Sequence, residues 1–134
     1  MARMKTRDMP LLLRWAPSLL IMGVIFFFSS LPASQIPTFG EWDILFKKAG
    51  HATGYALLGL AYYFALPPRL SSGFRWILAF FMAILFALSD EFHQSFVQDR
   101  SSSIIDVGID ALGAAIALTI AAFYSSNSNS NSSM

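Results

Sequence analysis

The chain has 134 residues, 55% of them hydrophobic, 15% aromatic and only 13% charged, against about 25% charged in an ordinary soluble domain. A soluble chain of this length buries only about two thirds of its surface, so thirteen Phe, three Trp and four Tyr would leave much apolar area in water. Lipid suits that surface better, as does a mean hydropathy of +0.55. Nine Lys/Arg nearly cancel eight Asp/Glu, which excludes the strong basic excess of a nucleic-acid binder. The absence of cysteine removes disulfide scaffolds, thiolate metal sites and Cys nucleophiles together.

The fold class that follows is all-α: an integral membrane bundle of four transmembrane helices with short loops. The first helix is predicted over residues 11–31. No ionisable residue falls between Trp15 and Gly40, and the length is near the roughly 20 residues that a span needs. Pro17 is expected in a first turn, where a missing N–H costs nothing. A cleavable signal peptide is the competing reading, but Leu31-Pro32-Ala33 is a poor cleavage site. Pro32 and Pro37 keep the next segment irregular.

The second helix is predicted over 46–66 and is stopped by Pro67-Pro68. Its Gly50, Gly54 and Gly59 are the small residues that let membrane helices approach closely. The third and fourth are predicted over 72–95 and 104–124. Their uncharged stretches, Trp76–Ser89 and Ala111–Tyr124, hold only 14 residues each. Each therefore reaches spanning length only by including its acidic end: Asp90 and Glu91 in the third, Asp106 and Asp110 in the fourth. Residues 1–124 form one membrane domain without internal repeats. Residues 125–134, SSNSNSNSSM, are too polar to bury anything and are expected to be disordered.

Orientation comes from counting Lys and Arg. Arg3, Lys5, Arg7 and Arg14, with Arg69 and Arg75 in the second connection, share one side; Lys47, Lys48 and Arg100 lie on the other. Both termini are then cytoplasmic. On the opposite, extracytoplasmic end the ionisable groups gather. Lys47, His51 and Tyr55 recur at i, i+4, i+8, which places them on one helix face. Asp90 and Glu91 stand one turn from Gln94, and Asp106 one turn from Asp110 and two from Gly113. Arg100 occupies the loop between the two acidic ends. Polar groups at membrane depth are costly unless they pair or line a wet cavity. His93 reads as interfacial, and Ser29-Ser30 as helix-end residues.

Carboxylates beside an imidazole suit acid–base chemistry or a divalent metal. His51, Glu91, Asp106 and Asp110 are the candidate catalytic residues. A metal is only weakly signalled, its candidate ligands being His51, Glu91 and Asp106. Lys47 and Arg100 suit an anion, with Tyr55 and Gln94 orienting the reacting groups; these four are the candidate substrate-binding residues.

The segments IFFFSSLPAS, KKAGHATGYALLG and SDEFHQSFVQDRSSSIIDVGIDALGAA resemble the VanZ-like family, whose namesake is a teicoplanin-resistance protein. The resemblance covers about Ile21 to Ala117. Its specific block falls on Asp90-Glu91, Gln94, Arg100, Asp106, Asp110 and Gly113, and a Lys…His…Tyr pattern on Lys47, His51 and Tyr55. Two departures stand out. Gln98-Asp99 occupies the place of a common Pro-Gly, and Asp110 that of a common Asn. The resemblance implies a multi-pass protein of the bacterial inner membrane, with a link to glycopeptide susceptibility in the namesake. The expected partner is a membrane lipid, through an anionic headgroup or a lipid-linked cell-wall precursor, and a homo-oligomer is compatible with the sequence. The alternative is a structural or accessory membrane subunit whose charged cluster is a buried ion-pair network.

Overall fold

Proline and serine set the helix ends. In a computed structural model, which describes residues 9–133, Pro10 precedes α1 (Leu11–Ser30) and Pro32 follows it. α2 (Asp43–Ala65) stops two residues before Pro67, as expected where a following proline disfavours helical backbone. The Ser71 and Ser103 hydroxyls accept N–H groups at the starts of α3 (Ser72–Gln94) and α4 (Ile104–Ser132), satisfying donors that a helix start otherwise leaves unpaired. Single turns of 3-10 helix at Ala33–Gln35 and Gly40–Trp42 bridge α1 and α2. No strand occurs among the described residues.

Four helices match the four predicted segments, with three differences. Pro17 lies inside α1 rather than in its first turn, because the helix already begins at Leu11; the carbonyl of Leu13 thereby loses its intrahelical donor. α4 does not end at Tyr124 but continues to Ser132. The segment expected to be disordered is an exposed helical extension, in which the backbone carbonyls of Tyr124, Asn127, Asn129 and Ser130 accept bonds from Ser hydroxyls. The third difference concerns α2. α1, α3 and α4 are each long and apolar enough to cross a membrane, and α2 is not. Its composition follows from its position. α2 packs against all three other helices, and Tyr55, Leu58, Gly59, Tyr62, Tyr63 and Ala65 are buried. A helix that meets three neighbours can carry more small and polar residues on its inward faces, while Leu57 and Phe64 remain on its exposed side.

The core is built from small residues on matching stripes. Ala79, Ala83 and Ala87 face inward along α3, and Val107, Asp110, Ala114, Leu118 and Ala121 along α4. The closest approach is between α2 and α4. A Cβ on Gly59 would touch that of Ala114 at 3.4 Å, and one on Gly113 would run into the backbone carbonyl of Ala52. Two arginines close the opposite end of α2, where the last carbonyls of a helix lack partners. Arg75 donates twice to the Tyr63 carbonyl, at 2.9 and 3.2 Å, with its guanidinium 4.1 Å from the Tyr63 ring centre. Arg14 donates to the Ala65 carbonyl. Of the six basic residues used for orientation, Arg3, Lys5 and Arg7 lie outside the described residues.

Candidate functional site

The inward stripe of α3 changes character over its last two turns. After Ala79, Ala83 and Ala87 it presents Asp90, Glu91 and Gln94, all buried. The same happens on α4, where Asp110 continues the stripe of Ala114 and Leu118. α2 meets them with Tyr55 and, one turn nearer its start, His51. These stripes enclose a cavity of about 580 Å³, within the range of small-molecule sites. His51, Glu91, Asp106 and Asp110 all line it, and so do Lys47, Tyr55, Gln94 and Arg100. Every residue that the sequence nominated thus borders one space. The opposite wall is apolar and comes from α1 and the segment after it, through Val24, Ile25, Phe28 and Ile36.

Each polar group has a distinct circumstance. The Lys48 ammonium lies 3.0 Å from Asp106, joining α2 to α4, and Lys47 lies 2.6 Å from Asp43. That bond from Lys47 holds the Asp43 carboxyl below the usual carboxylate range, helped by the Phe39 N–H against a smaller opposing effect of burial. Glu91 accepts the Ser103 N–H at 3.0 Å, tying the end of α3 to the start of α4. Gln94 donates to Asp90 at 3.1 Å and to Ser29 at 3.2 Å. His51 Nδ1 is 3.8 Å from Asp110, a separation too long for a hydrogen bond. Arg100 forms no ion pair among the described residues. The Tyr55 hydroxyl, Asp90 Oδ1 and both Asp110 oxygens are buried without a hydrogen-bond partner.

The model of the VanZ/LLP1 family matches residues 14–125. The chain belongs to the VanZ/LLP1 family. The match takes in all of α2 and α3, α1 from Arg14 onward, α4 as far as Ser125, and every residue of the cavity wall. No curated protein and no solved structure matches the chain.

In this VanZ/LLP1 protein the three metal candidates line the cavity without forming a cluster of their own. Among the described residues no three His, Asp or Glu side chains gather closely enough to hold an ion. Each of the three candidates has a different neighbour: His51 lies 3.8 Å from Asp110, Glu91 accepts the Ser103 N–H and Asp106 pairs with Lys48. Lys47, in turn, is engaged by its own helix, which leaves Arg100 as the unengaged cation of the cavity.

Two polar residues beside the cavity lay outside the predicted set. Asp90 holds Gln94 in place, and its i, i+4 spacing to Gln94 on the alanine stripe was the available signal. Ser29, in the last turn of α1 as expected of a helix-end residue, is only 1% exposed and accepts from Gln94. His93, expected at the interface, bridges α3 to α1: it lies 3.0 Å from the Ser30 hydroxyl and stacks on Phe26 with ring centres 4.3 Å apart.

Proposed function

We propose that this VanZ/LLP1 protein spans the bacterial inner membrane four times and holds an envelope lipid headgroup or lipid-linked cell-wall precursor in the cavity. In this reading both termini are cytoplasmic and the cavity opens at the extracytoplasmic end. The lysine and arginine count supports that orientation, and the contacts of α2 with all three other helices support its place as a less apolar fourth span. The observation that carries the proposal is one cavity with an apolar wall on a membrane-crossing helix and a polar wall bearing an unengaged guanidinium. An amphiphile with an anionic group matches both walls at once. His51, Glu91 and Asp110 supply groups that take or give a proton if the bound molecule is also modified. A role in glycopeptide susceptibility is the part of the proposal that rests on the family alone.

The experiment is lipid mass spectrometry on purified wild-type protein beside Arg100→Ala, Arg100→Lys, Glu91→Gln and Asp106→Asn. Phospholipid is expected to co-purify with the wild type and to be lost from Arg100→Ala, with Arg100→Lys retaining little because Lys lacks the bidentate fork. The structural-subunit reading draws support from the Lys48–Asp106 pair across α2 and α4. It requires Arg100→Lys to behave as wild type, and equal phospholipid in all five proteins would reject the binding site.

A further inference from the structure

We propose, building on the lipid-binding reading above, that the cavity selects a phospholipid whose head carries a primary amine beside its phosphate. One acyl chain of that lipid lies in a groove on α1. The acceptors of the cavity point to the amine. Asp110 and Tyr55 are each 1% exposed and line the cavity. Neither Asp110 oxygen and not the Tyr55 hydroxyl has a hydrogen-bond partner, and His51 stands 3.8 Å from Asp110. A carboxylate only accepts, and buried acceptors without donors are costly. A primary ammonium brings one positive charge and three N–H donors, which suits a carboxylate and a phenol oxygen together.

The order of charges along the bundle fits the rest of such a head. Lys48 and Asp106 stand about one helical turn, roughly 5 Å, nearer the helix starts than His51 and Asp110. Arg100 precedes α4 altogether. The unengaged cation therefore sits at the rim and the Asp110 carboxylate, which accepts no hydrogen bond, about a turn deeper, so a phosphate at Arg100 leaves its amine to reach inward.

The tail has its own place. A second, apolar hollow of about 370 Å³ runs along α1 from Leu19 to Phe28 and shares Val24 and Phe28 with the polar cavity. Those nine steps extend about 14 Å along the axis of a helix apolar enough to cross a membrane. At Gly23, in the middle, a Cβ would meet nothing within 4 Å. The hollow thus adjoins the head cavity across Val24 and Phe28, and its exposed Leu19, Leu20 and Phe27 open it where the lipid would be.

The test uses delipidated full-length protein in detergent, titrated with dioleoyl phosphatidylethanolamine, phosphatidylcholine and phosphatidylglycerol. The ethanolamine lipid is expected to bind at least about tenfold more tightly than the choline lipid, whose quaternary nitrogen has no N–H to give; a hydrogen bond to a charged group supports a ratio of that size. Asp110→Asn is expected to abolish this preference while phosphatidylglycerol still binds. Gly23→Trp is expected to weaken all three lipids about tenfold and leave the tail-free glycerophosphoethanolamine unaffected. Equal binding of ethanolamine and choline lipids by the wild type overturns the amine assignment and needs no variant that must fold. A preference that survives in Asp110→Asn overturns it too, and full diacyl-lipid binding by Gly23→Trp overturns the groove. The broader lipid reading fails separately, if Arg100→Ala binds all three lipids as the wild type does.

Discussion

Gly113→Ala adds one methyl group at the seam that sets the site. Its Cβ would overlap the Ala52 carbonyl oxygen and come within 3.0 Å of the Ala52 carbon and 3.1 Å of its Cα. The obstacle is backbone, so no rotamer change relieves it, and α2 and α4 must part by about 1 Å to reach ordinary contact distances. A gap of that size weakens the neighbouring Gly59–Ala114 and Gly59–Leu118 contacts, now 3.4 and 3.5 Å from a Gly59 Cβ position. Overpacking of this kind costs roughly 1–3 kcal/mol, and the better helix propensity of Ala returns at most about 1 kcal/mol. The expected net loss is about 1–2 kcal/mol, read as a lower unfolding midpoint in a mixed-micelle denaturant titration. Gly108→Ala is the control. It lies on the same helix with nothing within 4 Å of its Cβ position, and is expected to be neutral or stabilised by up to about 1 kcal/mol. Equal midpoints for the two variants would refute the close-approach argument. Gly113→Ala should also disturb the site, since Ala52 is next to His51 and Gly113 is one turn from Asp110.

Asp99 adopts a φ of 59°, a conformation that costs an L-residue roughly 1 kcal/mol; Asp99→Gly is expected to raise the same unfolding midpoint modestly. Arg75→Ala removes both bonds to the Tyr63 carbonyl and the contact over its ring, and should lower stability by about 1–3 kcal/mol. Arg75→Lys should restore less than half of that, because the ammonium cannot reproduce the fork; full restoration would argue that charge alone matters there. For Asp43, the Lys47 bond favours the ionised form in the fold. Its contribution is present above the unfolded-state pKa and lost as pH falls through the lowered folded-state value. An NMR titration should therefore show Asp43 below the usual carboxylate range, and Lys47→Ala should move it back up.

The placement of the helices and the gathering of polar groups were legible because both depend on local quantities. The 14-residue uncharged stretches of the third and fourth segments forced their acids into the helices, and the acids are found there. The i, i+4 spacings of His51 with Tyr55, and of Asp106 with Asp110, put each pair on one face wherever its helix pointed. What spacing along one helix leaves open is which face meets which neighbour, since that depends on rotation and contact between segments far apart in the chain. Lys48 reaches Asp106 across 58 positions, while Lys47, the residue the pattern favoured, turns back to Asp43. Ser29 is the helix-end residue that the sequence indicated, but its bond from Gln94, 65 positions away, was not legible there.

The scarcity of charge, taken alone, established a membrane protein and the end of the bundle where its polar residues meet. Only packing decided that α2 is the helix in contact with all three others, that the metal candidates have separate partners, and that Arg100 and Asp110 have no ion-pair or hydrogen-bond partner respectively among the described residues. The physical reason lies in Gly59, Gly113 and the alanine stripe of α3. Side chains that small allow the backbones to close up, and the resulting rotation of each helix, absent from any single segment, selects the partners.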